Sequence, residues 1–257
     1  ARFEPTGTNT GRFSGKKPNL QNIGRGKLRA CFVPDDGNRL VVADYSQVEL
    51  RIAAAIAGEE RMIQAYEQGS DLHRQTASIV LGKPVEDISK EDRQLAKAVN
   101  FGLLYGQSAK GLVVYAETSY GVKLDIEQAR QIRQKFFDEY KHLREWHSQA
   151  EKDAGSNCEV LSTKLGRKRW LPMEGDVRWQ RFTALLNAPV QGGAADVIKT
   201  AIIALQAKLP EGAGLVSTVH DELIVEANLK NVEAIKKLME DIMIESAASL
   251  YPTVPFE

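Results

Sequence analysis

The sequence has little cysteine, no net charge and no long apolar run. Its two cysteines, Cys31 and Cys158, stand far apart with no cluster of His or Cys around them. That indicates no disulfide framework and argues against a zinc site. Its 34 basic and 34 acidic residues cancel, so bulk charge alone points to no polyanionic partner. No apolar stretch reaches membrane-spanning length, and no signal peptide opens the chain. Internal repeats and low-complexity tracts are also missing. The chain opens on Ala1 and closes on Pro255-Phe256-Glu257, and reads as a stretch of something longer.

What is there is a chain of 257 residues, 43% apolar and 26% charged, enough for one large domain or two modest ones with a real core. Its charge cancels overall but is unevenly placed. Residues 1–30 carry Arg2, Arg12, Lys16, Lys17, Arg25, Lys27 and Arg29 against Glu4 alone. Lys164, Arg167, Lys168 and Arg169 form a second basic cluster, and the stretch from Glu211 is mostly acidic. A neutral protein can hold a basic groove for a phosphate backbone in this way. Solvated faces are the competing reading.

Periodicity predicts a buried strand over 39–44 and a helix from Ser46 to Ala57, closed by Gly58. Further helices are predicted over Glu60–Gln68, Leu72–Leu81, Glu91–Tyr105, Ile126–Asp153, Gln191–Leu209 and Val232–Ala247. Ser89 can cap the helix that contains Asp92. Residues 1–30 read as extended loop, and 155–175 as a loop or short hairpin. The runs Leu215–Val219 and Leu223–Glu226, separated by His220, Asp221 and Glu222, read as a hairpin. Strands at both ends and helices between predict a helical subdomain inserted into an α+β platform.

Two acids carry the chemistry. Asp44 ends the apolar run from Leu40, and Asp221 sits between two further apolar runs. An acid at the exposed end of a buried strand is a good metal ligand, and two brought together would repel unless a divalent cation lay between them. Between them in sequence lie Arg93, Lys97, Phe101 and Tyr105, four residues apart. On a helix this row drifts slowly around one face over roughly 18 Å. Leu95, Val99 and Leu103 follow a different face. Gly102 and Gly106 cost about 1 kcal/mol each inside a helix, which makes sense where a flat base approaches the backbone. Acids for magnesium and a cationic helix for phosphates together suit nucleotidyl transfer. Other residues keep two readings. Glu49 completes a capping box with Ser46. Glu222 is a site acid or a solvated one. His220 is a metal ligand or a hydrogen-bond donor to nucleic acid. His73 is a helix-start residue or a phosphate contact.

These residues resemble the polymerase core of the family A DNA polymerases, and the resemblance runs from about Thr8 to Glu257. Thr10-Gly11-Arg12 with Pro18-Asn19-Leu20-Gln21-Asn22-Ile23 is similar to the family's primer–template segment. Asp44 to Ile52 is similar to motif A, Arg93 to Gly106 to motif B, and Val219-His220-Asp221-Glu222 to motif C. Asn187-Ala188-Pro189-Val190-Gln191-Gly192 is similar to a further signature. The resemblance implies an antiparallel β-sheet palm with flanking helices at 1–59 and 177–257. A helical fingers subdomain at 60–176 is inserted into it, and these residues include no thumb. It implies two Mg2+ ions held by Asp44, Asp221 and the backbone carbonyl of Tyr45, with Mn2+ able to substitute and Glu222 supporting from just outside. It implies Arg93, Lys97 and His73 on the triphosphate, with Lys97 able to protonate the leaving pyrophosphate. Gln47 is assigned beside the nucleotide, Phe101 near the sugar and base, Tyr105 by the template base, and Glu49 against the sugar 2′ position. Arg12, Asn19, Gln21, Asn187, Gln191 and His220 are implied on primer–template DNA.

The implied partners are primer–template DNA and deoxynucleoside triphosphates, in an intracellular, monomeric protein of replication or repair. Three departures from the family pattern stand out. The link from Ile23 to Phe32 is short, so Arg25 and Lys27 receive no role. Thr183 occupies the position where the family often has Arg, with Arg181 two residues earlier, so that contact is not carried over. The thumb and any 3′–5′ exonuclease domain have no counterpart in these residues. A single-subunit RNA polymerase, a two-metal nuclease and a module that only binds DNA are the competing functions.

Overall fold

The computed structural model of the chain describes residues 1–23, 26–156, 160–171 and 177–257. A short ribbon of β1 (Arg2–Glu4) and β2 (Ser14–Lys16) stands where composition predicts only extended loop. Next come β3 (Asn38–Asp44), α1 (Val48–Ala57), α2 (Glu60–Glu67), α3 (Leu72–Leu81), α4 (Lys90–Leu104) and α5 (Ala109–Tyr120). They are followed by α6 (Ile126–Glu139), α7 (Lys141–Ala154), and a second ribbon of β4 (Val160–Ser162) and β5 (Lys168–Trp170). The long α8 (Arg178–Lys208), the hairpin β6 (Ala213–Val219) and β7 (Glu222–Asn228), and α9 (Val232–Leu250) complete the order. Every strand pair is antiparallel, and the three-stranded sheet runs β3-β7-β6. This is the mixed helix-and-sheet layout that the placement of strands and helices predicts.

The central strand sets the core. Leu223, Val225 and Ala227 alternate along β7 and are fully buried. They share one core with Ile235, Met239 and Ile242 of α9 and with Val190, Val197 and Leu205 of α8. The same core continues through Leu103, Leu112, Phe136 and Leu143, so it joins residues 60–176 to the sheet. The other face of the sheet is open: Val42 and Val216 are each 50% exposed.

Several local predictions need correction. The capping box of Ser46 and Glu49 does not form. Gln47 is the N-cap of α1, in the left-handed region at φ 52°, and its side chain makes no cap hydrogen bond. The Ser46 N–H instead donates to the Glu257 carbonyl at 2.9 Å, and the Ser46 carbonyl accepts from Arg51 Nε at 2.9 Å. The helix predicted over 126–153 is two helices, broken at Tyr140 (φ −93°, ψ 74°). Two tertiary partners replace continuity there. The buried Tyr140 hydroxyl bonds Thr76 Oγ1 at 2.9 Å. The Glu59 carboxylate accepts from the N–H groups of His142 (2.9 Å) and Leu143 (3.3 Å). α5 carries β-branched Val113, Val114 and Thr118, which weakened its helical signal. α8 starts at Arg178, not Gln191, and carries Pro189 inside it. Ser89 and Asp92 do form the predicted box on α4.

Candidate active site

Strand register places the two acids. Asp44, the last residue of β3, stands opposite Glu222, the first of β7, and Asp221 precedes it in the two-residue turn after Val219. His220, the other turn residue, takes the left-handed conformation at φ 57° and is exposed. The Tyr45 N–H donates to the Asp221 carbonyl at 3.4 Å, which ties the two chain segments together beside the acids. Tyr45 itself is buried and anchored by its hydroxyl on the Met243 carbonyl at 2.6 Å. Burial, then the charge of Asp44, pushes the Asp221 carboxyl up to about 6. Asp44 is exposed and Asp221 half-buried. Two neighbouring carboxylates, one of them raised by burial and by the other's charge, are an oxygen donor set suited to a hard divalent cation, so these two acids fit Mg2+. Among the described residues no group of three or more His, Cys, Asp or Glu gathers as a metal site. The third nearby acid has a partner of its own. Glu222 is buried and its carboxylate is taken by the Arg29 guanidinium. Gln21, Arg29, His220 and the three acids line one open cleft of about 400 Å3.

Glu49 is a second convergence. One carboxylate oxygen takes the Arg12 guanidinium and the other the Tyr105 hydroxyl. Gln191 of α8 also bonds Tyr105, and burial, then Glu49, raises the phenol far above its ordinary range. Three segments, the N-terminal loop, α1 and the end of α4, therefore meet through one carboxylate, and α8 joins them through Tyr105. This is where the Glu49 side chain is used, in place of a cap. Gln47 lies alongside, its amide oxygen accepting from the Tyr66 hydroxyl at 3.4 Å.

The row on α4 forms as a helix, but its members behave differently. Arg93 donates from Nε to Asp71 Oδ2 at 2.6 Å. Asp71 is in turn held by the N–H groups of His73 and Arg74 as the cap of α3. Lys97 is half-buried and makes no ion pair among the described residues. Phe101 and Tyr105 lie on the row and also pack against the main core. His73 is 3% exposed, meets Asn100 Nδ2 through Nδ1 at 2.9 Å, and stacks 6.0 Å from Phe101. Burial, then Arg93, lowers it to about 4, so it is neutral and enclosed and offers no charge to a phosphate in this arrangement. Gly102 is not an opening for a base. A Cβ there would stand 3.1 Å from Leu112 Cδ1 and 3.1 Å from Tyr115 Cδ1, so its smallness serves the α4–α5 contact. Gly106 ends the row at φ 82°, with Phe182 Cε1 only 2.6 Å from where a Cβ would be.

Of the remaining predicted residues, Gln21 is buried, Asn19 is exposed and caps Gln21 N–H through Oδ1 at 3.1 Å, and Asn187 and Gln191 are half-buried on α8. Arg25 and Cys158 lie outside the described residues. Arg181 is buried, donating from Nε to the Ala154 carbonyl at 3.0 Å. Arg29 and Asp71 were missed as supporting residues. Asp71 had a signal, since it precedes the apolar start of α3. Arg29 had none beyond belonging to a basic stretch.

The sequence profile of DNA polymerase family A matches residues 1–257, and the chain belongs to that family. DNA polymerase I of Aquifex aeolicus is 42% identical over 259 residues, which is 99% of this chain and 44% of the relative. The thermostable DNA polymerase I of Thermus aquaticus is 37% identical over 268 residues, all of this chain and 31% of the relative. The chain thus spans less than half the length of these relatives. Among solved structures, the POL domain of Pol1 from M. smegmatis in complex with DNA primer-template and dNTP is similar at a TM-score of 0.86. Identity to it is 34%, covering 99% of this chain and 46% of that one.

Proposed function

We propose that this chain is the palm and fingers of a template-directed DNA polymerase, adding deoxynucleotides to a primer 3′-OH with release of pyrophosphate. The palm is 1–59 with 177–257, and the fingers are 60–176. The observation that carries the reading is the meeting of Asp44 and Asp221 at the β3–β7 edge, where burial and then the Asp44 charge raise the Asp221 carboxyl. The relatives are named DNA polymerase I, and the similar solved structure was determined with primer-template and dNTP.

Asp44, Asp221 and the Tyr45 carbonyl would hold two Mg2+ ions, with Mn2+ able to substitute. Such ions activate a 3′-OH and neutralise charge on a leaving pyrophosphate. The protein's own residues do the rest. Lys97, a cation with no acid partner among the described residues, meets the triphosphate and gives a proton to the leaving pyrophosphate. Arg93, aimed by Asp71, binds the same phosphates. Phe101 lies against the sugar and base, and Gln47 stands beside the nucleotide. Glu49, held between Arg12 and Tyr105, crowds the 2′ position and favours deoxyribose. Tyr105 borders the template base, and Arg12, Asn19, Gln21, Asn187, Gln191 and His220 touch primer–template. Glu222 and Arg29 brace the acids from behind. The setting is intracellular DNA replication or repair, with the protein acting as a monomer.

The test is Mg2+-dependent primer extension by this chain. Asp44→Ala and Asp221→Ala should each lower the rate at least about a thousandfold, or about 4 kcal/mol, with the fold retained. Near-normal extension by either variant overturns the assignment. Primer–template binding by the parent chain with no extension would reduce the function to DNA binding.

A further inference from the structure

Helix α8 reaches both groups that hold the Glu49 carboxylate. Its Gln191 bonds Tyr105, which takes one carboxylate oxygen. Arg12 takes the other, and Arg12 sits in a loop that α8 grips on both sides. Lys199 donates from Nζ to the Pro5 carbonyl at 2.6 Å and stands 5.1 Å from the centre of the Phe13 ring. Between those two anchors lies a tight turn. The Gly11 N–H donates to the Thr8 carbonyl at 3.1 Å, and Thr8 Oγ1 donates to the Arg12 carbonyl at 2.9 Å.

Beneath that turn lies a buried ion pair. Asp196 of α8, three residues before Lys199, is 2% exposed. Its Oδ1 accepts from Arg167 Nε at 3.0 Å and from Nη2 at 2.8 Å, and its Oδ2 accepts from the Thr163 hydroxyl. Charge-assisted bonds of this kind are the strong ones, and two of them fix the plane of a guanidinium. The Arg167 side chain in turn presses on Gly11. A Cβ there would stand 2.6 Å from both Cδ and Cζ of Arg167. Gly11 also lies at φ 79°, which glycine adopts without strain. Thr163 closes the other side, since its Cγ2 lies 2.7 Å from where a Cβ on Gly192 would be. The β4–β5 ribbon, α8 and the turn thus meet without spare room. A buried ion pair adds little net stability over an apolar pair of the same shape. Its use beside the residue that precedes Arg12 therefore calls for a reason of position.

We propose that Asp196 is a positioning residue for Arg12. Through Arg167 it holds the turn at residues 8–12 against α8. That keeps the Arg12 guanidinium on Glu49, and Glu49 against the sugar 2′ position. The effect on sugar choice rests on the polymerase reading, and the hold on the turn does not.

The test uses Asp196→Asn, which keeps the shape and removes the charge, and Arg167→Lys, which keeps the charge and removes the planar fork. Hydrogen exchange of the Gly11 N–H should quicken at least about tenfold in both, the size expected when a charge-assisted bond is lost. In primer extension, the ratio of ribonucleotide to deoxynucleotide incorporation should rise about tenfold in both. Adding Glu49→Ala to Asp196→Asn should raise that ratio no further than Glu49→Ala alone, because both act through one carboxylate. Melting temperatures identify any unfolded variant, and Arg167→Lys, at a half-buried position, decides the matter if Asp196→Asn fails to fold. Unchanged exchange at Gly11 overturns the proposal. So does a parental ratio in variants that extend primers, or a fully additive rise in the double variant. If the parent chain extends no primer, the polymerase reading falls and exchange alone decides whether Asp196 holds the turn. Extension by both variants with parental exchange and ratio removes the hold and leaves the polymerase reading intact.

Discussion

At the scale of single residues, one carboxylate shows how a local motif yields to distant partners. Ser46 and Glu49 have the spacing of a capping box, but the Glu49 side chain turns to Arg12 and Tyr105. A charged group in two partly buried bonds is worth more than a cap. Glu49→Ala should therefore cost about 2 kcal/mol in urea denaturation, above the ~1 kcal/mol of a lost cap. It should also raise the ratio of ribonucleotide to deoxynucleotide incorporation. An unchanged ratio would move sugar choice to Phe101 and Tyr105. Asp221 poses the opposite case, a charge the apo protein holds at a cost. Asp221→Asn removes a charge made costly by burial and then by Asp44, and should stabilise the metal-free protein by about 2 kcal/mol at pH 8. The same change should abolish the rise in melting temperature that Mg2+ gives the parent. A variant no more stable than the parent without metal would contradict the closeness of the two acids.

At the scale of elements, helix ends explain more of the architecture than helix interiors. Glu59 is 2% exposed and serves two helices. Its carboxylate accepts from Arg61 N–H at 3.3 Å at the start of α2 and from His142 and Leu143 at the start of α7. Glu59→Ala strips three N–H groups of their acceptor in a dry place and should destabilise by about 3 kcal/mol, read by thermal or urea unfolding. Glu59→Gln should recover part of that. A loss under about 0.5 kcal/mol would mean that water reaches those groups. Gly106 closes α4 in a conformation few side chains adopt and against the Phe182 ring, so Gly106→Ala should both strain the turn and displace Tyr105. Its expected signature is lower extension activity at a modestly reduced melting temperature.

Over the whole molecule, two enclosed histidines set an acid limit. His73 and His147 are each lowered from 6.5 to about 4, chiefly by burial. The unfolded chain takes up these protons near 6.5, while the folded one resists until about 4. Their stabilising contribution is thus complete above 6.5 and is lost as pH falls through that window. Between pH 7 and 5 the loss should be about 2 kcal/mol per histidine, measured by urea denaturation at each pH. Asp221, raised to about 6, acts with the opposite sign and offsets part of it. His147→Phe should remove about half of the histidine contribution to the pH slope, and a slope unchanged in that variant would show that His147 is hydrated.

The strand at 39–44, the hairpin around Asp221, most of the helices and the two acids are legible in the order of residues. Each of these depends on period, caps or strand ends within a few residues of chain. The resemblance in its motifs was legible for the same reason, since each motif is a short run. Tertiary structure alone decided the rest. The break at Tyr140 depends on Thr76 and Glu59, far off in sequence. The engagement of Glu222 by Arg29 and of Glu49 by Arg12 and Tyr105 depends on segments that only folding makes neighbours. The enclosure of His73 follows from α3 packing on α4, which turns a helix-start histidine into a core residue. Spacing along a chain specifies which face a side chain shares with its near neighbours, and says nothing of what the opposing element brings to it.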